Sequence, residues 1–324
     1  MRRSSPIPLA ILATFAFAST ARAFEEFTPP EALGMGGAAR AWATGDEGPL
    51  LNPSGMSLTK SYTLTGAYEY ASRLSDQFIH ASVVDSTAPI NLAGGLYYTY
   101  HAQNPSSGPG LVQAESGSGH EGGLALSYPF GPYVSVGATV KYFKLLGGEA
   151  SAGHGGGVTF DVGATIRPTQ IISIGVVGTN LRDLGTSEAT QAIGYGVALL
   201  PIPALLVAAD GLTRFTADGQ TGRKGTSLMG GAAYTIAGKL AVRVGGGYDA
   251  ATGNGYLTAG ASIVSEIGAI DAGLRQDVTQ AVIVAGGGPE RETVVGVSLR
   301  LFIPSMQSDA PPELPEVRAP VTNP

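Results

Sequence analysis

No cysteine occurs among the 324 residues, which excludes disulfides, thiolate metal sites and a lipid-modified N-terminal cysteine. It leaves the redox compartment open. Charge is also scarce, at 14% of residues against about 25% in an ordinary soluble chain. The formal net charge is −6, and Arg2, Arg3 and Arg22 fall in a 23-residue leader without a single acid, so the rest is more acidic still. That balance gives no basis for nucleic-acid binding. Long apolar runs are missing too. The longest approach to one, Pro6–Ala18, falls short of the roughly 20 residues a spanning helix needs.

That run follows Arg2-Arg3 and precedes Ala21-Arg22-Ala23. A basic start, an apolar middle and a small-x-small site in this order predict a signal peptide over residues 1–23, cleaved after Ala23.

Catalytic and metal-binding patterns are likewise absent. Gly153-His154-Gly155-Gly156-Gly157 matches a lipase oxyanion string, but the Gly-x-Ser-x-Gly elbow that such a string requires does not occur. His80, His101 and His120 lack metal-ligand spacing. Gly222-Arg223-Lys224-Gly225 has the wrong order for a phosphate loop, and Asp249–Asn254 misses the calcium-loop spacing. No catalytic residue, metal or cofactor is expected.

Glycine, by contrast, is abundant: 48 residues where about 7% is usual. From residue 60 onward the chain reads as ten-residue segments with period-2 alternation. In Tyr133–Phe143, Val134, Val136, Ala138, Val140 and Tyr142 oppose Ser135, Gly137, Thr139 and Lys141. In Gly157–Arg167, Val158, Phe160, Val162, Ala164 and Ile166 oppose Thr159, Asp161, Gly163, Thr165 and Arg167. The ionisable residue falls each time on the face with Gly, Ser and Thr. A charge on a lipid-facing position costs about 2–4 kcal/mol at mid-bilayer, so this sorting suits a membrane wall.

Fourteen such segments are predicted: 60–70, 77–86, 90–101, 120–128, 133–146, 156–167, 170–180, 191–200, 204–214, 225–236, 239–250, 255–265, 267–277 and 291–303. Short, often proline-bearing connections (Pro129–Pro132, Pro168–Gln170, Pro201–Pro203, Ala237–Gly238) alternate with long Gly/Ser-rich ones such as Ala102–Gly119 and Val278–Glu290. The fold class expected is all-β: a transmembrane antiparallel up-and-down barrel of about 14 strands, with short periplasmic turns and longer outer loops. A soluble β-sandwich also alternates, but it would carry more outward charge. An even strand count returns both termini to the periplasm, in the outer membrane of a Gram-negative bacterium.

Lys141, Asp161, Arg167, Arg243, Asp271 and Arg275 share the predicted inward face. Unpaired charge in a confined lumen is costly, so some are expected to pair with each other or with residues 24–58, as a lumen salt-bridge network or as a cluster that orients a substrate. The terminal strand Val294–Phe302 ends in phenylalanine, like the signal read by barrel-assembly machinery. Residues 304–324 hold six prolines and little hydrophobicity, which predicts a disordered periplasmic tail able to meet envelope proteins.

Residues 24–58 do not alternate. They carry Gly34-Met35-Gly36-Gly37, then Gly45-Asp46-Glu47-Gly48, then Asn52-Pro53-Ser54-Gly55. This order resembles the N-terminus of FadL-type outer-membrane transporters and the related PorV-type barrels, with Ser54 in place of the usual alanine. Gly230-Gly231-Ala232-Ala233-Tyr234 with Lys239–Gly245 resembles a late hairpin of the PorV-type branch. The resemblance implies a barrel over 59–303 with an N-terminal hatch over 24–58, marked by Gly34, Met35, Gly36, Gly37, Asn52, Pro53 and Gly55. It further implies a wall in contact with outer-membrane lipid and passage of hydrophobic or small amphipathic molecules. The alternative it offers is a docking component of a secretion or motility machine.

Overall fold

The computed structural model describes residues 27–72, 75–88, 90–103, 117–146, 156–184, 189–215, 224–250, 252–279 and 291–303. The expected signal peptide, the proline-rich tail, His154 and the middles of most long loops lie outside them.

Fourteen strands close into one antiparallel barrel in which each pairs with its sequence neighbours and the first pairs with the last. They are β1 (Tyr62–Ala71), β2 (Asp76–Asp85), β3 (Ala93–Gln103), β4 (Gly117–Phe130), β5 (Val134–Leu146), β6 (Gly156–Ile166) and β7 (Ile172–Thr179). Then come β8 (Ala192–Ile202), β9 (Leu205–Arg214), β10 (Gly225–Ile236), β11 (Leu240–Asp249), β12 (Asn254–Val264), β13 (Gly268–Asp277) and β14 (Thr293–Phe302). The seam sets Thr63 opposite Phe302 and Ala71 opposite Val294, so the barrel begins and ends at the same rim, the one that carries the short turns.

Every expected strand is present. Two run on past a proline at which the sequence suggested they stop, and for one reason. Proline lacks a ladder donor, but at a strand's terminal residues that donor is dispensable. β4 therefore runs through Pro129 to Phe130, paired with Ser135 and Val134. β8 runs through Pro201 to Ile202 after an irregularity beyond Leu199. Gly131 and Gly238, both with positive φ, turn the chain in the tight β4–β5 and β10–β11 hairpins.

The alternation sorts as lipid requires. Leu124, Val140, Val162, Val244, Leu257 and Ile270 point outward and are exposed, while Thr139, Asp161, Arg243, Ser262 and Asp271 point inward and are buried. Outward aromatics gather at two levels. Tyr128, Phe130, Tyr133 and Tyr234 lie near the short-turn rim, and Tyr68, Tyr98, Tyr142, Tyr195 and Tyr248 nearer the other. Two aromatic girdles around an apolar band are the outer surface of a transmembrane barrel.

Residues 27–61 stay out of the wall. Pro30 and Pro49, each at the first turn of a helix and pre-set in φ, start α1 (Pro30–Gly34) and α2 (Gly48–Leu51). Two 3₁₀ turns, Gly45–Glu47 and Pro53–Leu58, complete the segment. None of these pieces is long enough to be stable alone. What holds them is the inner face of the barrel.

Candidate functional site

The N-terminal segment touches the inward side of every strand, from Ser135 near the short-turn rim to Tyr256 toward the other. Where it touches, the strand commonly carries glycine. A Cβ added at Gly137 of β5 would fall onto the backbone of Pro53 and Ser54, and one at Gly175 of β7 onto the carbonyl of Arg40. The same holds for Gly231 of β10 against Met35, Gly245 of β11 against Gly36, and Gly273 of β13 against Pro30. The glycine content thus has a structural use: a girdle of bare backbone on which another backbone can rest.

The hatch-motif residues make the contacts. Gly34 lays its Cα by Gly260, and its carbonyl accepts a hydrogen bond from Thr258 of β12 at 3.0 Å. Met35 is fully buried among Ala38, Ala41, Ala198, Ala208 and Ala233. Gly36 and Gly37, with φ of +72° and +83°, turn the chain out of α1. The Gly36 carbonyl accepts from the Tyr256 hydroxyl at 2.9 Å, and the Gly37 amide returns to the Ala32 carbonyl at 2.8 Å.

Asn52 is fully buried. Its amide donates to the Arg40 carbonyl at 2.7 Å, and its oxygen accepts from the Ser54 hydroxyl at 2.7 Å and backbone N–H at 3.3 Å. It ties the two halves of the segment together. Pro53 fixes the following turn, and Gly55 lets that turn close against the Ala43 carbonyl. Ser54 answers its departure from the family motif, since its hydroxyl lies 2.7 Å from that of Thr165 on β6. Replacing Asn52 with alanine is expected to loosen the segment by about 1–3 kcal/mol, the cost of leaving buried groups unpaired. Faster hydrogen exchange at the Ser54 amide would register it, and unchanged exchange would refute it.

Charges fasten the segment at two places: the sequence singled out no residue of the first, and only Arg243 and Asp271 of the second. On one side, the Asp210 carboxylate of β9 accepts from the backbone N–H of Ala39 and of Arg40, both at 2.8 Å, and pairs with the Arg40 guanidinium at 3.3 Å. On the other, Glu31 of α1 pairs with Arg300 of β14 at 2.7 Å and with Arg243 of β11 at 2.5 Å. Arg300 also holds Asp271 of β13 at 3.0 Å and lies 3.9 Å from Asp46, which accepts from Thr65 of β1 at 2.9 Å. Burial pushes the carboxyl groups of Glu31 and Asp46 upward, opposed in part by Arg300. Glu47 is pushed well up by burial and then by its acidic neighbours Glu31 and Asp46.

The six inward charges read from the sequence do not form one cluster. Arg243 and Asp271 meet through the Ser262 hydroxyl within the Glu31 site. Lys141 pairs with Asp161 at 3.0 Å, and Asp161 also accepts from the Asn180 N–H at 2.8 Å where β7 ends. Arg275 pairs with Asp277 at 3.3 Å and lies 4.2 Å over the Tyr256 ring. Arg167 falls in the β6–β7 turn. Among the described residues, no group of three His, Asp or Glu side chains is placed to hold a metal.

Beside the segment's first residues stands an aromatic wall. Phe27 stacks on His80 of β2 with centroids 4.7 Å apart, Phe78 of β2 stacks on His101 of β3 at 4.3 Å, and Tyr97 of β3 lies 5.9 Å from His80. The cavity remaining between Phe27, His80 and the acidic residues has room for about one water molecule.

No protein-family model and no curated protein matches the chain. Solved structures do. CymD, a monoaromatic hydrocarbon channel, matches with a TM-score of 0.65 and 15% identity, over 85% of this chain and 97% of that one. The toluene transporter TbuX of Ralstonia pickettii matches at 0.64 and 14% identity, over 86% and 98%. A FadL homologue of Pseudomonas aeruginosa matches at 0.62 and 15% identity, over 87% and 99%. At this identity the likeness is one of fold, and the fold is that of the FadL-type barrels, as the N-terminal motifs led us to expect. The docking role expected as the alternative finds no support among these three.

Proposed function

We propose that this protein lets hydrophobic or small amphipathic molecules cross the outer membrane of a Gram-negative bacterium, with residues 24–58 as a plug in the lumen. The observation that carries this reading is the contact of one irregular segment with all fourteen strands. A segment so seated closes the lumen, and in a transporter it must yield for anything to pass. Both termini then lie on the periplasmic side, because the short turns share their rim.

The aromatic wall of Phe78, His80, Tyr97 and His101 supports a hydrophobic ligand over a sugar or an ion. Ring faces offer stacking and area burial but few directed hydrogen bonds. The fold shared with a hydrocarbon channel and a toluene transporter favours the same class.

The test is uptake by an outer-membrane strain expressing the chain, with toluene, a long-chain fatty acid and a disaccharide supplied separately. Faster entry of toluene or the fatty acid, without faster entry of the disaccharide, is the expected result. Equal or absent stimulation of all three would reject the reading. Phe78→Ala with Tyr97→Ala is expected to cut the stimulated entry severalfold.

A further inference from the structure

We propose that the cavity under Phe27 is a proton-binding site in which Glu47 holds the proton, so that seating of the plug is linked to pH; this rests on residues 24–58 being a plug. The first observation is charge balance. Four carboxyl groups, Glu31, Asp46, Glu47 and Asp271, share this buried site with two guanidinium groups, Arg243 and Arg300. The guanidinium groups are committed by geometry to Glu31 and Asp271, with Asp46 at the edge of Arg300's reach.

The second observation is Glu47 itself. It is 2% exposed, it lines the cavity, and its Oε1 has no hydrogen-bond partner. A buried carboxylate with an oxygen left without a donor is costly to keep charged, and the ordinary remedy is to take up a proton.

The groups around it favour that remedy. From its own segment Glu31 and Asp46 face it, from β13 Asp271, and from β14 Arg300. From β11 comes Arg243, already bound to Glu31. β2 offers His80, whose Nδ1 is engaged by the Thr99 hydroxyl at 2.8 Å. β1 offers Thr65, with Glu69 two inward positions further along. Acid outnumbers base on every reckoning of this list. The cavity's size fits the occupant: about one water molecule could relay a proton to Glu47.

The sign follows from linkage. Seated, Glu47 has a raised pKa; released into water, it returns to the usual glutamate range. The seated state therefore binds the extra proton, and seating is strongest below the released value. It weakens as pH climbs, falling tenfold per unit between the released and the seated values and levelling off above the seated one. Alkaline conditions free the plug, and Glu47→Gln, a permanent mimic of the protonated form, removes the dependence.

The absence of cysteine makes the test clean. Ser57 is buried and 2.8 Å from Ser135 of β5, so a thiol in Ser57→Cys is shielded while the plug is seated. Its labelling by a membrane-impermeant maleimide is compared, between pH 6 and 10, with that of the double variant Ser57→Cys/Glu47→Gln. The double variant corrects for the thiol's own ionisation. The ratio of the two rates is expected to rise at least tenfold across this range. Parallel profiles would overturn the proton site. Rapid labelling of both at every pH would instead reject the plug itself. Glu47→Leu, neutral and of similar length, serves as a second comparator should the glutamine variant fail to assemble. An infrared carboxylic-acid band in the full chain at neutral pH, lost in Glu47→Gln, is the independent readout.

Discussion

Replacing Gly175 with valine is expected to drive the plug from the barrel and leave a conducting pore. The missing side chain at Gly175 faces the Arg40 carbonyl and the Ala41 Cα, backbone against backbone. Neither can step aside. Arg40 is held through its N–H by Asp210, and the Ala41 carbonyl accepts from the Ser173 hydroxyl next to Gly175 on β7. Overpacking commonly costs about 1–3 kcal/mol, and the upper end applies where backbone must shift. About 3 kcal/mol raises the released population on the order of a hundredfold. The barrel itself should stand, because valine is a favoured strand residue. Gly66→Val is the control, since Gly66 lies on the outer face of β1 with nothing within 4 Å of an added Cβ. Planar-bilayer recordings should show Gly175→Val open at least ten times as often as the parent, with Gly66→Val unchanged. A closed Gly175→Val barrel would mean that the segment does not seal the lumen.

The wall of this barrel was legible because lipid enforces a strict rule. Every strand must alternate, charges must turn inward, and the count must close. The period alone therefore located all fourteen strands, and its misses fall at strand ends, among them Pro129 and Pro201, which strand ends tolerate. The lumen obeys no such rule. Charges sharing an inward face meet only if register and strand spacing bring them together. Ser262 faces Asp271 across β12 and β13, and Asp271 faces Ser298 across β13 and β14, which sets Arg300 diagonally beside Asp271. Arg275, on the same strand as Asp271 but further toward the other rim, finds a different partner. None of this is visible without the register.

The segment inside is harder still. Glu31, Arg40 and Asp46 sit in short helices and turns that have no period, and each partner lies some 20 to 270 positions further along the chain. The sequence did show Gly34-Met35-Gly36-Gly37 and Asn52-Pro53-Ser54-Gly55 as unusual, and Asp210 could have been placed inward from the alternation of β9. It could not show that the inward glycines form the bed on which the segment rests. Abundance marks that glycine matters; only the assembled barrel tells which glycines face a backbone.

Asp210→Ala is expected to unseat the plug more thoroughly than removal of its ionic partner. Two readings of this site make opposite forecasts. If the ion pair dominates, Arg40→Met and Asp210→Ala should do equal damage. The geometry favours amide capture instead. Asp210 accepts two backbone N–H groups at 2.8 Å, whereas the guanidinium stands at 3.3 Å. Hydrogen bonds to a charged group contribute about 1.5–3 kcal/mol each, so Arg40→Met leaves most of the anchor in place. Asp210→Ala removes all three bonds and strands a buried guanidinium, a loss of about 3–5 kcal/mol. The double variant removes the stranded charge and should recover part of that loss, so the two effects should add to less than their sum. Labelling of Ser57→Cys in each background measures the order directly. Should Arg40→Met prove as harmful as Asp210→Ala, the carboxylate acts as a counter-ion. Should it prove milder, as expected, the carboxylate acts as a backbone clasp, and a charge on β9 does for the irregular segment what ladder hydrogen bonds do for the strands.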